Sequence, residues 1–335
     1  MRTRRSIYTT NFLERNLKFI FVLSVFFLVL LPSIAFSFKG PLQIKNQYPI
    51  TLHANQPYLE TADTESSFSA SLSHSSTYTV QNSANWSFNM DMEITELNLR
   101  YKRDIKDLFE IGLEVPVLYF GGGFMDGFLE SYHSTFGFSD YGRSNRPHNE
   151  FIYEVRRDNA LVVRGETGAG LGDVRLTLKK SLMSSGDFGL SVKGDLELPT
   201  GDAKAGYGNG SIDAGISVLM NYYICQGIAT YWNLGAVSPG DVRGYEKINL
   251  KDFVYGGMAV EADLNKGFSL IAQLQGQSRI YPKTNLLAVD RAAYLLSLGG
   301  RYHSGKNSVE LLLAEDINTA GAPDFILNLS YKIKL

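Results

Sequence analysis

From residue 67 onward, large apolar residues fall on alternate positions in run after run. Phe68, Ala70, Leu72, Tyr78 and Val80 share one parity; Phe109, Ile111, Leu113, Val115, Val117 and Tyr119 share another. Ile212, Ala214, Ile216, Val218, Met220 and Tyr222 repeat the pattern. At the C-terminus Phe325, Leu327, Leu329, Tyr331, Ile333 and Leu335 alternate with Asn328, Ser330, Lys332 and Lys334, and Ile326 is the exception. A period of two is a β-strand with one apolar and one polar face. The runs exceed the roughly 5–6 residues usual in soluble sheets and suit strands that cross a bilayer at a tilt. One run changes parity, from Trp86, Phe88, Met90, Met92 and Ile94 to Leu97, Leu99 and Tyr101. A one-residue change of this kind predicts a β-bulge.

Short connections near 103–107, 184–187, 225–226, 265–266 and 304–306 alternate with longer ones at 120–170, 200–209, 238–251, 281–290 and 316–323. Short periplasmic turns and long external loops belong to outer-membrane barrels. The expected fold is therefore all-β: a transmembrane up-and-down antiparallel β-barrel of 12 strands over residues 67–335, with the long external loop at 120–170. Fourteen strands is the alternative, if a further pair lies in 150–165. A secreted β-sandwich is the soluble rival. Residues 38–66 carry Pro41, Pro49 and Pro57 and little alternation, and are expected as a periplasmic or lumen-tucked lead-in.

The N-terminus sets the compartment. Arg2, Arg4, Arg5, Arg15 and Lys18 precede an apolar run at 19–31 broken only by Ser24; Pro32 and the small residues Ala35 and Ser37 follow. This is the pattern of a secretory signal peptide over 1–37. An N-terminal anchor is the rival, but the run is short of the ~20 residues a spanning helix needs. Without that segment the net charge moves from −2 to −6, because it holds five basic residues and one acid. An acidic chain is a poor partner for nucleic acid. Cys225 is the single cysteine, so no internal disulfide forms. Twenty Phe and 19 Tyr against two Trp fit aromatic girdles. A mean hydropathy of −0.09 agrees with a barrel, in which only alternate residues meet lipid.

If the apolar parity faces lipid, the other parity lines the lumen. That places Glu110 and Glu114 of one strand across from Lys179 and Arg175 of its neighbour, with Asp195 reaching Arg175 from the far side. Glu110, Glu114, Arg175, Lys179 and Asp195 thus form a candidate lumen charge cluster. Asp213, Glu261, Asp263, Gln273, Gln275, Arg279, Arg301 and Glu310 are expected to face inward too. No single-sign ring emerges, so sharp ion selectivity is not expected. Either a mixed-charge pore or a salt-bridged plug would satisfy this lining.

In the long loop, Phe124, Phe128, Leu129, Tyr132 and Phe136 recur at helical spacing, with Gly137 placed to stop a helix. Such a loop is expected to fold inward as a constriction or to cap the outer mouth. Its motif joins Gly122, Gly123, Asp126, Gly127, Phe128, Glu130, His133, Phe136 and Gly137, followed by Gly142 and Arg143. With Gly40-Pro41-Leu42 and Asn46-Gln47-Tyr48-Pro49 upstream, it resembles an uncharacterised family of bacterial outer-membrane β-barrel-like proteins, across most of the chain after residue 37. Leu198-Pro199-Thr200-Gly201 is similar too, and recurs in barrel families encoded near phenol-degradation genes. The resemblance implies membership and location rather than a chemistry. The C-terminal strand, 325–335, also resembles the sorting signal read by the barrel-assembly machinery, although Leu335 stands where an aromatic is usual.

Catalytic candidates are few. His133, with Ser131, Ser134, Glu130 and Asp126 nearby in sequence, is the sharpest; a carboxylate could orient the imidazole. No Gly-x-Ser-x-Gly or His-Glu-x-x-His motif is present, and no metal or cofactor is expected. The chain is expected to be a monomeric channel for small or hydrophobic solutes in the outer membrane of a Gram-negative bacterium. A lipid-modifying enzyme and a non-conducting structural or surface-interaction barrel are the alternatives.

Overall fold

The computed structural model describes residues 40–106, 108–137, 142–264 and 267–335. The segment read as a signal peptide lies outside them. Seventeen strands are present: β1 (Ser67–Asn82), β2 (Trp86–Ile105), β3 (Phe109–Gly121), β4 (Ile152–Arg157), β5 (Ala160–Arg164), β6 (Gly168–Leu171), β7 (Val174–Ser185), β8 (Phe188–Leu198), β9 (Asp213–Cys225), β10 (Ile228–Ser238), β11 (Val242–Arg243), β12 (Lys247–Ile248), β13 (Phe253–Asp263), β14 (Phe268–Gln277), β15 (Ala293–Ser304), β16 (Asn307–Asp316) and β17 (Phe325–Lys334). Among the described residues two α-helices lie in loops, α1 (Asp126–Phe136) and α2 (Leu287–Asp290). Twelve antiparallel strands, β1–β3, β7–β10 and β13–β17, form the ring. It closes where Ser67 of β1 pairs with Lys334 of β17, and the ladder continues to Ser76 and Phe325. Closure leaves no edge strand in the wall, so its backbone polar groups are paired within the bilayer.

The strands suspected within 150–165 exist as β4 and β5, but they stand outside the ring. β4 pairs with β2 from Trp86↔Arg157 to Asp91↔Ile152, above the point where β3 leaves β2 at Glu93↔Gly121. The barrel therefore has twelve strands, not fourteen, and this sheet extends above the wall on the external side.

The expected bulge in β2 is absent. Its pairing with β1 runs from Ser67↔Lys102 to Asn82↔Ser87 without a shift, and even-numbered residues from Trp86 to Lys102 are all buried. What changes is the medium. Leu97, Leu99 and Tyr101 point outward to lipid. Trp86, Phe88, Met90, Met92 and Ile94 point inward, into a cluster with Tyr153, Val155, Val162, Val163, Tyr207 and Tyr281. External loops and the β4–β5 hairpin build this apolar cap over the mouth.

Helix α1 forms at the expected place, and Gly137 ends it at φ 75° with its N–H donating to the His133 carbonyl. It neither narrows nor caps the lumen. It lies against the outside of the wall over β1, β16 and β17. Phe128 meets Phe325 at 5.7 Å between ring centroids, and the Tyr132 hydroxyl donates to Glu315 at 2.9 Å. Both wall residues have the outward parity of Leu327 and Leu313. Phe124, Phe128 and Phe136 are exposed, whereas Asp126, Leu129 and His133 face the wall. The chain reaches α1 past the Glu93 carboxylate, which accepts the N–H groups of Phe124 and Met125 at 3.0 and 2.6 Å. A Cβ on Gly123, whose φ is +69°, would sit 1.8 Å from that carboxyl group. Gly123→Ala is therefore expected to cost about 1–3 kcal/mol through both the clash and the left-handed backbone, read as a lower melting temperature.

Candidate functional site

The lumen is occupied by the chain's own residues 40–66. The segment rises from Gly40, turns at a short 3-10 helix over Thr51–His53, and descends into β1. Residues 40–62 are buried or half-buried throughout. Pro41, Pro49 and Pro57 keep it out of the sheet, so its backbone groups are satisfied by the wall's side chains. Leu42 N–H donates to Gln273 at 3.0 Å, Gln43 N–H to Glu310 at 2.8 Å and Asn55 N–H to Asp213 at 2.8 Å. Glu60 N–H donates to Asn233 at 2.8 Å and Ala62 N–H to Asn221 at 2.8 Å. These inward polar residues stand where strand parity puts them, and the segment uses them as a template.

The two limbs meet different surfaces. On the ascending limb, Leu42 and Ile44 pack on Ala229, Ile271, Leu295, Leu312 and Ile326. Arg301 clamps its base, donating to the carbonyls of Gly40 and Pro41 at 2.8 and 3.0 Å while pairing with Glu261 and Glu310. The descending limb crosses the charged side. Arg175 donates to Asn55 Oδ1 at 2.9 Å and to the Gln56 carbonyl at 2.8 Å, and pairs with Glu114. Glu60 is surrounded by three wall cations: Arg100 at 3.0 Å, Lys193 at 3.0 Å and Lys102. Lys45 of the ascending limb pairs with Glu96 at 2.9 Å. A void beside Lys45, Gln56 and Glu197 measures about 20 Å³, room for one water.

The charge cluster sits within this arrangement. Glu110 stands opposite Lys179 and Glu114 opposite Arg175 across β3 and β7. Lys179 pairs with Glu110 at 3.1 Å. Asp195 lies opposite Thr177, not Arg175, and its ion-pair partner is Lys193 at 3.2 Å. Strand parity places Lys193 in the lumen with Asp195, but Glu60, Arg100 and Lys102 are not among the sequence candidates. The polar parity of β2 and β8 signals the three cations, but nothing local announces the carboxylate that joins them.

The long-loop residues lie on the wall's outer side. Arg143 is buried and bridges Asp126 and Asp324, each at 2.5 Å, and donates to Ser76 at 3.0 Å. The Ser131 hydroxyl donates to the Gly127 carbonyl, and Glu130 pairs with His148 at 3.0 Å. Both groups are thus engaged away from His133, which is buried against the wall. Among the described residues no group of His, Cys, Asp and Glu has the geometry of a metal site.

At the tip of the luminal segment, His53 is fully buried between two tyrosines. Its Nδ1 lies 2.6 Å from the Tyr281 hydroxyl and its Nε2 3.0 Å from that of Tyr153. Burial lowers its pKa from 6.5 to about 4. Between those values the unfolded chain holds the proton and the folded chain does not. Stability present above pH 6.5 is therefore lost as pH falls toward 4 and levels off below it. The loss is on the order of 3 kcal/mol. Melting temperatures recorded from pH 7 to 4 should fall more steeply, or rise less, for the wild type than for His53→Gln, and the difference between the two curves is the His53 contribution.

A closed twelve-stranded ring with an outward apolar band and a polar lumen defines a transmembrane β-barrel of the outer-membrane channel fold. The chain belongs to the family described as Protein of unknown function (DUF3187), whose profile matches residues 18–335. No curated protein sequence matches it. Among solved structures, it is similar to an outer membrane channel from Pseudomonas putida F1, at 14% identity and a TM-score of 0.54, covering 84% of this chain and 98% of that one. It is also similar to the NanC porin, at 8% identity and a TM-score of 0.47, covering 80% and 100%. The TodX deltaS2S3 mutant monoaromatic hydrocarbon channel matches at 8% identity and 0.46, covering 88% and 100%.

Proposed function

We propose that the chain is an outer-membrane channel for small polar solutes, held closed by its own residues 40–66. The observation that carries this is the chemistry of the contact between segment and wall. The inward face of β1 is Ser67, Ser69, Ser71, Ser73, Ser75, Thr77 and Thr79, and the face of β2, β3, β7 and β8 below the cap is charged. Buried ion pairs are no more stabilising than apolar packing of the same volume. A permanent plug gains nothing from such a lining, whereas a lumen that fills with water when the segment leaves requires it. The apolar patch under Leu42 and Ile44 is the part of the wall that would suit hydrophobic solutes. Export by the N-terminal signal and insertion of a monomer by the assembly machinery through 325–335 complete the proposal.

The filled lumen also favours a second reading, a non-conducting structural barrel. Gln47 of the segment is hydrogen-bonded to Ser73 of the wall, so Gln47→Cys with Ser73→Cys, in a Cys225→Ser background, can be joined by a short thiol-reactive cross-linker that locks segment to wall. In planar bilayers the untreated protein should give discrete current steps and the cross-linked protein none. Silence in both forms would favour the structural barrel.

A further inference from the structure

The surroundings of Glu60 have the composition of a ligand site. Its carboxylate accepts from Arg100 Nη2 and Lys193 Nζ on one oxygen, at 3.0 Å each, and from Lys102 Nζ on the other. The three cations come from two strands of the wall, and all are buried. They do not need Glu60 for their own placement, since each has a wall carboxylate within ion-pair reach. Arg100 lies 3.6 Å from Glu114, Lys102 3.2 Å from Glu110 and Lys193 3.2 Å from Asp195. Arg175 and Lys179 draw on Glu114 and Glu110 as well. Within ion-pair reach, five wall cations thus share three wall carboxylates. The next wall acids are Glu197, opposite Arg175, and Glu96, which shares the Asn98 amide with Glu114.

We infer that Arg100, Lys102 and Lys193 form a binding site for a small carboxylate solute, occupied in the closed barrel by the carboxylate of Glu60. This rests on the channel reading above. A planar guanidinium and two mobile ammonium groups suit one carboxylate bound from both oxygens. In this scheme an incoming carboxylate takes the place of Glu60, and the descending limb loses its central anchor. The solute that is carried is then also the solute that opens the barrel. A neutral solute of equal size has no claim on the site.

Single-channel recording in planar bilayers tests this with succinate as probe and glycerol as neutral control. Millimolar succinate should raise the opening rate of the wild-type protein at least ten-fold over equimolar glycerol. Glu60→Gln should open without solute and lose the succinate dependence. Lys193→Gln should weaken that dependence several-fold while still folding, as judged by heat-modifiable gel migration. Equal opening of the wild-type protein in succinate and glycerol overturns the site but leaves the channel standing. No current from wild-type or Glu60→Gln protein in any salt overturns both.

Discussion

Replacing Arg175 by Ala should release the descending limb of the luminal segment and cost about 3–5 kcal/mol. Arg175 is 2% exposed and joins four partners at once. It pairs with Glu114, donates to Asn55 and to the Gln56 carbonyl, and lies over the Tyr58 ring at 5.1 Å. Truncation leaves the Glu114 carboxylate buried with less compensation, and it removes both donors that hold residues 55 and 56. Arg175→Lys keeps the charge but not the fork, and should recover less than half of the loss. The readouts are the temperature at which heat-modifiable migration is lost and the rate of protease cleavage within 54–62. A variant that melts and resists protease like the wild type would show that Arg175 does not anchor the segment.

Arg143→Ala should act as strongly but elsewhere. Two carboxylates, Asp126 and Asp324, and the Ser76 hydroxyl converge on this one side chain. Without it, two like charges face each other between α1 and the wall. The cost is again about 3–5 kcal/mol, and it falls on the docking of α1 rather than on the ring. External protease should cut within 122–137 in intact proteoliposomes, while the ring stays heat-modifiable. If α1 remains protected, the aromatic contacts at Phe325 hold the helix unaided.

The wall was legible in the sequence because strand parity has a period of two and the chain states it repeatedly. Parity also fixed the Glu110–Lys179 and Glu114–Arg175 register, since opposite charges on one face of neighbouring strands admit few alignments. Periodicity reports that a face is apolar, not what covers it. In β2 the inward apolar residues from Trp86 to Ile94 meet a protein cap, and the outward ones from Leu97 meet lipid, so a change of medium looks like a bulge. Helix α1 misleads in the same way. Phe124 and Phe136 of its stripe are exposed and Phe128 meets the wall only at Phe325, whereas the residues buried against the wall are Asp126, Leu129 and His133. Residues 40–66 were hardest to place, because a segment without strand or helix has no period. Its signature is the pairing of Lys45, Asn55, Gln56 and Glu60 with partners 40 to 173 residues away.

Both limbs of the luminal segment leave toward the periplasmic end, and the descending limb is covalently continuous with β1 at Ser67. Withdrawal therefore needs no free end to thread the ring, and return is a unimolecular event. A short tether gives its own ligand an effective concentration in the millimolar range. A free carboxylate must reach comparable levels to keep Glu60 from rebinding. The barrel would then respond to abundance rather than to traces, closing again as soon as the external supply is spent.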